Sequence, residues 1–162
     1  MPSYSFEAAV PYENAIAVVS CPDVLDRVHG KGMWQFSGWE PDGDAVWKRK
    51  GKVKGVEVPQ FARVLVGGKR YITCSVTQSY RVLDGAIEVR SRMRPKVAGA
   101  SVATNTTVLR IQPVRDGEAC LVAGTAVNET SIPAPIGPMA VDVMDEMSDE
   151  TMEFLEDALR KR

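Results

Sequence analysis

The stretch KRYITCSVTQSYRVLDGAIEVRSRMRP, residues 69–95, decides the fold of this chain. Two runs of alternating apolar and polar residues flank Asp84-Gly85, and this dipeptide is a strong signal for a two-residue hairpin turn. The turn predicts the pairs Leu83–Ala86, Val82–Ile87, Arg81–Glu88 and Tyr80–Val89. Because side chains alternate between the two faces of a strand, this register also predicts which residues share a face.

The two faces of the predicted hairpin differ in polarity. One face collects Ile72, Cys74, Val76, Gln78, Tyr80, Val82, Ile87, Val89, Ser91 and Met93. The other face collects Thr73, Ser75, Thr77, Ser79, Arg81, Glu88, Arg90, Arg92 and Arg94. We expect the first face to lie against a dry interior and the second to face water.

Further strands and short helices are predicted on both sides of this hairpin. The other predicted strands are residues 3–10, two within 33–58 around a turn at 41–44, and a second hairpin of 101–113 and 118–131 through Asp116-Gly117. The predicted short helices are residues 12–20, 20–30 and 59–66. Seven strands result, and the length and composition of the chain predict one domain, residues 1–162.

The chain ends in a predicted helix over residues 138–162, which follows a hinge rich in proline and glycine. Apolar side chains recur along it at helical spacing, namely Met139, Ala140, Val143, Met144, Met147, Phe154, Leu155 and Ala158. Acidic residues take most of the remaining helix surface. Because this stripe and the apolar sheet face must both be buried, the sequence predicts an α+β fold in which the helix covers the sheet.

Polar residues interrupt the predicted dry face of the sheet. Gln78 and Ser91 lie opposite one another in the hairpin, and Asn105 and Thr107 are expected on the same face of the next strand. Such isolated polar groups indicate either mutual hydrogen bonding or a cavity whose ligand needs orienting contacts. Core packing alone also explains the methionine stripe, although methionine repacks readily around ligands. The candidate cavity residues are Val76, Gln78, Tyr80, Val89, Ser91, Met93, Asn105, Thr107, Met139, Val143, Met144 and Met147.

The order of these elements resembles the START-like, helix-grip superfamily, also called SRPBCC or Bet v 1-like. VPQFARVLVGGKRYITCSV, residues 58–76, is similar to the helix and following strand of PRELI-type lipid-transfer domains, whereas VTQSYRV replaces their acidic turn. Residues 99–127 and 132–144 resemble an uncharacterised bacterial branch of the superfamily. The resemblance implies a curved antiparallel sheet of seven strands wrapped around the long C-terminal helix, with two short helices after the first strand. It also implies a cavity for a lipid, a sterol or a polyketide-like molecule.

Three functions remain open at this point. The first is a carrier of a hydrophobic small molecule, and the second is a cyclase or hydrolase in which Tyr80, Gln78 and Arg49 are the candidate residues. The third is a ligand-free module that docks a protein partner. Catalysis has little support, because the single histidine, His29, is predicted at a helix end and no Ser-His-Asp set is present. We therefore expect no catalytic group, no metal and no cofactor.

Charge and hydropathy limit the partners and the location of the chain. Lys48, Lys50, Lys52 and Lys54 fall on one face of a predicted strand, where they form either a solvated face or a contact with anionic lipid headgroups. A net charge of -1 argues against nucleic acid as a partner. The chain has no signal-peptide pattern and no apolar run of about 20 residues, so a cytoplasmic location is expected.

Overall fold

A computed structural model describes residues 2–16, 33–95 and 103–160 of the chain, with side chains up to residue 157. Eight strands of the described residues form one antiparallel sheet. These strands are β1 (Ser3–Ala8), β2 (Trp34–Phe36), β3 (Glu40–Pro41), β4 (Val46–Glu57), β5 (Tyr71–Leu83), β6 (Ala86–Pro95), β7 (Ala103–Val114) and β8 (Ala119–Thr130). The long helix α1 (Ile136–Arg160) follows the last strand. The predicted α+β fold, a curved antiparallel sheet with a long C-terminal helix, is confirmed.

The strand order across the sheet is β1-β8-β7-β6-β5-β4-β2, and β3 pairs with the other end of β4. The hairpin register predicted from Asp84-Gly85 is confirmed, since Leu83 pairs with Ala86 and Gln78 pairs with Ser91. Both turn residues have positive φ, which matches a two-residue turn that twists with its strands. The next strand continues the same face, because Ser91 pairs with Thr107 and Met93 with Asn105.

One predicted strand is divided in the structure. The segment before the turn at 41–44 forms two pieces, because the pairing of β2 with β4 and that of β3 with β4 differ in register by one residue. Residues 37–39 take up this difference between the two pieces. The sheet therefore has an eighth strand of two residues where the sequence pattern predicts one continuous strand.

The short helices compare less closely with the predictions. The segment predicted at 59–66 is a 3-10 helix over Gln60–Val66, preceded by Pro59 and followed by Gly67 at positive φ. Of the helices predicted over 12–20 and 20–30, only residues 12–16 lie within the described chain, and Tyr12–Asn14 form a 3-10 turn there. The rest of both helices, including His29, lies outside the described residues.

The buried side chains form separate clusters along the concave face of the sheet. One cluster joins β1 and β6–β8 to the C-terminal half of α1, where Ile111 and Val122 are almost fully buried beside Met152 and Leu155. A second cluster lies on β4 and β5 around Val53. Met147, near the middle of α1, is packed against this second cluster. No helix of the described chain is both long enough and apolar enough to cross a membrane.

Candidate ligand cavity

A cavity of about 280 Å3 lies between the concave sheet face and α1. Strands β5–β8 form one wall and α1 forms the opposite wall, while the 3-10 helix Gln60–Val66 contributes Ala62, Leu65 and Val66. The lining is mostly apolar, because the strand residues that face α1 alternate with the outward polar ones. The cavity is therefore a direct product of the hairpin register and of the helical stripe.

The structure brings most of the predicted cavity residues together. The predicted residues that line the cavity are Val76, Gln78, Val89, Ser91, Met93, Asn105, Thr107, Val143, Met144 and Met147. Contact of these side chains with a ligand stays a prediction.

Tyr80 and Met139 do not line the cavity, which corrects their placement. The Tyr80 ring packs against Trp39, with ring centres 4.8 Å apart, so it belongs to an aromatic group farther along β5. Met139 is 46% exposed in the first turn of α1. At 100° per residue, Met139 points roughly 130° away from the middle of the lining stripe of α1. The periodicity of a strand or helix predicts the face on which a residue lies, but it does not predict whether its side chain reaches the cavity.

Two asparagines connect the sheet to α1 at one side of the cavity. Asn105 Nδ2 donates to Asn128 Oδ1 at 2.6 Å, and Asn128 Nδ2 donates to Asp145 Oδ1 at 2.7 Å. Ser148 Oγ lies 3.3 Å from both amide nitrogens, and Thr107 Oγ1 donates to Asn105 Oδ1 at 3.3 Å. The polar groups in this part of the wall therefore bond to one another, and they need no ligand as a hydrogen-bond partner.

A second polar group starts outside the lining and ends on it. Arg49 Nε donates to Gln78 Oε1 at 2.7 Å, and Gln78 Nε2 donates to Ser91 Oγ at 2.8 Å. The Arg49 guanidinium carbon lies 3.9 Å from the centre of the Phe36 ring and 4.5 Å from that of Trp39. Within the described parts of the chain, no carboxylate forms an ion pair with Arg49.

Burial changes the proton affinity of two groups at this site. Burial lowers the pKa of Arg49 to about 10, which still leaves the guanidinium charged at neutral pH. Burial raises the pKa of the Cys74 thiol to about 11, so this cavity residue is a neutral, weakly polar side chain. Within the described residues, no three His, Cys, Asp or Glu side chains are grouped so that they could hold a metal ion.

Several lining residues were not predicted from the sequence. Asn128 could have been predicted, because the hairpin through Asp116-Gly117 places it opposite Asn105. The structure confirms this pairing. No sequence pattern predicts that Trp34 and the residues of the 3-10 helix line the cavity, because their distance from α1 depends on the path of the chain across the sheet. Ser148 and Thr151 lie on the apolar stripe and donate to carbonyls one turn back, which lets them face the cavity.

No protein-family model matches this chain, and no curated protein matches it in sequence. Three solved structures, each at 97–99% coverage of this chain, resemble it at low sequence identity. TTHA0849 from Thermus thermophilus has a TM-score of 0.56 at 14% identity, and 92% of that chain is covered.

The other two structures are similar in the same way. The Zhui aromatase/cyclase from a Streptomyces species has a TM-score of 0.54 at 11% identity, with 89% of that chain covered. An uncharacterised protein from Rhizobium leguminosarum has a TM-score of 0.51 at 13% identity, with 95% of that chain covered. Likeness at these identities concerns the fold. The chain therefore has the α+β helix-grip fold, in which a curved antiparallel sheet packs against a long C-terminal helix.

Proposed function

We propose that this protein binds a hydrophobic small molecule of the lipid or sterol class between the sheet and α1, and that it carries this molecule unchanged. The observation that carries the proposal is the apolar cavity of about 280 Å3. Its lining is mostly apolar, so a ligand that covers this lining removes apolar surface from water, which stabilises the complex by roughly 25 cal/mol per Å2.

The size of the cavity narrows the ligand class. A volume of about 280 Å3 lies just below the range of ordinary ligand sites, which is about 300–1,000 Å3. A single acyl chain or a compact ring system suits this volume better than a phospholipid with two acyl chains. The helix-grip fold of a neighbour described as an aromatase/cyclase supports an interior that accepts hydrophobic molecules.

The two other functions are weaker alternatives. A cyclase or hydrolase would use the same cavity, but of the candidates Tyr80, Gln78 and Arg49 only Gln78 belongs to its lining. Product formation from a bound substrate, lost in Gln78→Leu, would favour this alternative. A ligand-free interaction module predicts a filled interior, and the observed cavity speaks against it. Contact with an anionic membrane through Lys48, Lys50, Lys52 and Lys54 is a part of the carrier proposal.

The first test asks whether the purified protein contains a ligand. Native mass spectrometry, followed by organic extraction, should reveal an adduct of a few hundred daltons, and the extract should identify its class. An apo mass that stays unchanged after incubation with mixed fatty acids and sterols would contradict the proposal.

A matched pair of variants locates the bound molecule. Val143→Trp fills the cavity from α1, whereas Met139→Trp introduces the same side chain at an exposed position of the same helix. Fluorescence of the neutral probe N-phenyl-1-naphthylamine should be lost in the first variant and kept in the second. Circular dichroism controls for folding of both. Equal probe binding by both folded variants would show that the site is elsewhere.

A further inference from the structure

The hydrogen bonds from Arg49 through Gln78 to Ser91 have a fixed direction. A guanidinium has donors and no acceptor, so the Gln78 atom at 2.7 Å from Arg49 Nε must be its carbonyl oxygen. The Gln78 amide nitrogen then points to Ser91, where it donates at 2.8 Å. Arg49 therefore sets the orientation of the Gln78 amide, which the shape of the amide alone would leave ambiguous.

Ser91 stands at the end of this chain on the cavity wall. Its oxygen accepts a hydrogen bond from the Gln78 amide, and its own hydroxyl hydrogen has no acceptor among the described residues. A hydroxyl that accepts one hydrogen bond and can donate another is polarised by the bond it accepts. The positive charge of Arg49 lies at the start of the chain and strengthens each donor in it. The wall consequently offers a hydrogen-bond donor to whatever occupies the cavity.

The other polar residues of the wall differ from Ser91. Thr107 donates a hydrogen bond to Asn105. Asn105 donates to Asn128 and to Ser148 of α1, and Asn128 donates to Asp145 and Ser148 of α1. The hydroxyls of Ser148 and Thr151 donate to helix carbonyls. Each of these donors is already used within the protein. Among the hydroxyl and amide side chains that line the cavity in the described chain, the Ser91 hydroxyl and the second amide proton of Gln78 have no acceptor within the protein.

We infer that the ligand carries an acceptor oxygen, which belongs to a carbonyl or carboxylate group on an apolar body. The Ser91 hydroxyl donates a hydrogen bond to this oxygen. The inference rests on the proposed function, because it concerns the ligand of the same cavity. It adds a polar group of stated chemistry and a fixed orientation of the ligand. A pure hydrocarbon would leave the Ser91 proton unpaired inside the cavity, which disfavours its binding.

The experiment compares molecules of nearly equal shape. 2-Acetylnaphthalene and 2-naphthoate have an acceptor oxygen, whereas 2-isopropylnaphthalene has none, and each competes with N-phenyl-1-naphthylamine for the cavity. The measured quantity is the ratio of the affinity for 2-acetylnaphthalene to that for 2-isopropylnaphthalene. In Ser91→Ala this ratio should fall about fivefold to tenfold relative to the unmodified protein. The affinity for 2-isopropylnaphthalene should change little.

A second variant tests the direction of the chain while Ser91 is kept. In Gln78→Glu the introduced carboxylate can only accept, so Ser91 should turn its proton toward position 78 and away from the cavity. The affinity ratio should fall as in Ser91→Ala, although the hydroxyl is still present. Ser79→Ala makes the same change as Ser91→Ala on the opposite face of the sheet, and it should keep the ratio of the unmodified protein. Comparison with 2-naphthoate distinguishes the effect of ligand charge from that of hydrogen bonding. Arg49→Met should lower the affinity for the anionic 2-naphthoate more than the affinity for the neutral 2-acetylnaphthalene.

The outcomes separate this inference from the proposed function. A ratio that stays unchanged in both Ser91→Ala and Gln78→Glu, while the probe still binds, would overturn the inference and leave the cavity proposal standing. A ratio that falls in both variants supports it. Failure of the unmodified protein to bind the probe would overturn the proposed function and this inference together.

Discussion

Asn128 shows how one side chain links the sheet to the helix. The Asp145 carboxylate can only accept, so it fixes the amide nitrogen of Asn128 toward α1 and the amide oxygen toward Asn105. Asn128 is thus the centre of a group that holds β7, β8 and α1 at one distance. That distance also determines the width of the cavity.

The substitution Asn128→Asp tests this role with almost no change of shape. It places a second carboxylate beside Asp145 and removes the donor between them, so we expect a loss of about 1–3 kcal/mol in the free energy of unfolding near neutral pH. Repulsion raises the folded-state pKa of the introduced carboxyl above its unfolded value of about 3.9. The folded state then binds more protons than the unfolded one, so the lost stability should return as pH falls through the raised pKa.

Urea unfolding over a pH series measures this effect. Asn14→Asp, at an exposed position of the Tyr12–Asn14 turn, is the matched control and should follow the unmodified protein throughout. A destabilisation of Asn128→Asp that is independent of pH would argue against direct pairing with Asp145.

At the scale of elements, the position of α1 depends on a close contact at its first turn. Gly137 is buried, and a Cβ atom at this residue would collide with the carbonyl oxygen of Ile132. Gly137 N also donates to Pro133 O at 3.1 Å, which ties the first turn to the hinge after β8. Glycine is needed here for close approach, and this approach directs the helix back across the sheet.

We expect Gly137→Ala to lower the free energy of unfolding by about 1–3 kcal/mol, because backbone must shift to admit the methyl group. Gly38→Ala is the matched control, since a Cβ at Gly38 meets nothing within 4 Å. Its effect should stay within about 0.5 kcal/mol. Urea unfolding of both variants gives the comparison, and equal stability of the two would show that the hinge has room to relax.

The same elements show why the sequence predicts some features and not others. The β5–β6 register followed from one turn dipeptide and a period of two, so the pairing of Gln78 with Ser91 was predictable. Placement on a face, however, does not give distance. Tyr80 has the correct face but lies too far along β5, and the 3-10 helix Gln60–Val66 closes the cavity through a path that no local pattern encodes. The register of the second hairpin also made the pairing of Asn128 with Asn105 predictable.

At the scale of the whole molecule, charge is divided between two opposite layers. The strand register aligns Lys50, Thr77 and Arg92 across the outer sheet face, and it aligns Lys48, Ser79 and Arg90 in the next row. The acidic residues of α1 lie on the other layer. The lysine row predicted on β4 is thus continued two strands away by arginines, about 10 Å distant at the usual strand spacing. This arrangement makes the outer sheet face the one that suits an anionic surface.

We therefore expect the outer sheet face to dock on anionic lipid. Each basic residue near such a membrane contributes about 1 kcal/mol, so Lys50→Gln combined with Arg92→Gln should weaken binding to phosphatidylserine vesicles roughly 30-fold. Vesicle sedimentation measures this affinity, and Lys69→Gln with Arg115→Gln removes the same charge from exposed positions outside these rows. Binding should also fall as salt shortens the Debye length from about 10 Å at 0.1 M. Equal binding to neutral phosphatidylcholine vesicles, or equal loss in both double variants, would contradict docking through the outer sheet face and leave the cavity proposal unaffected.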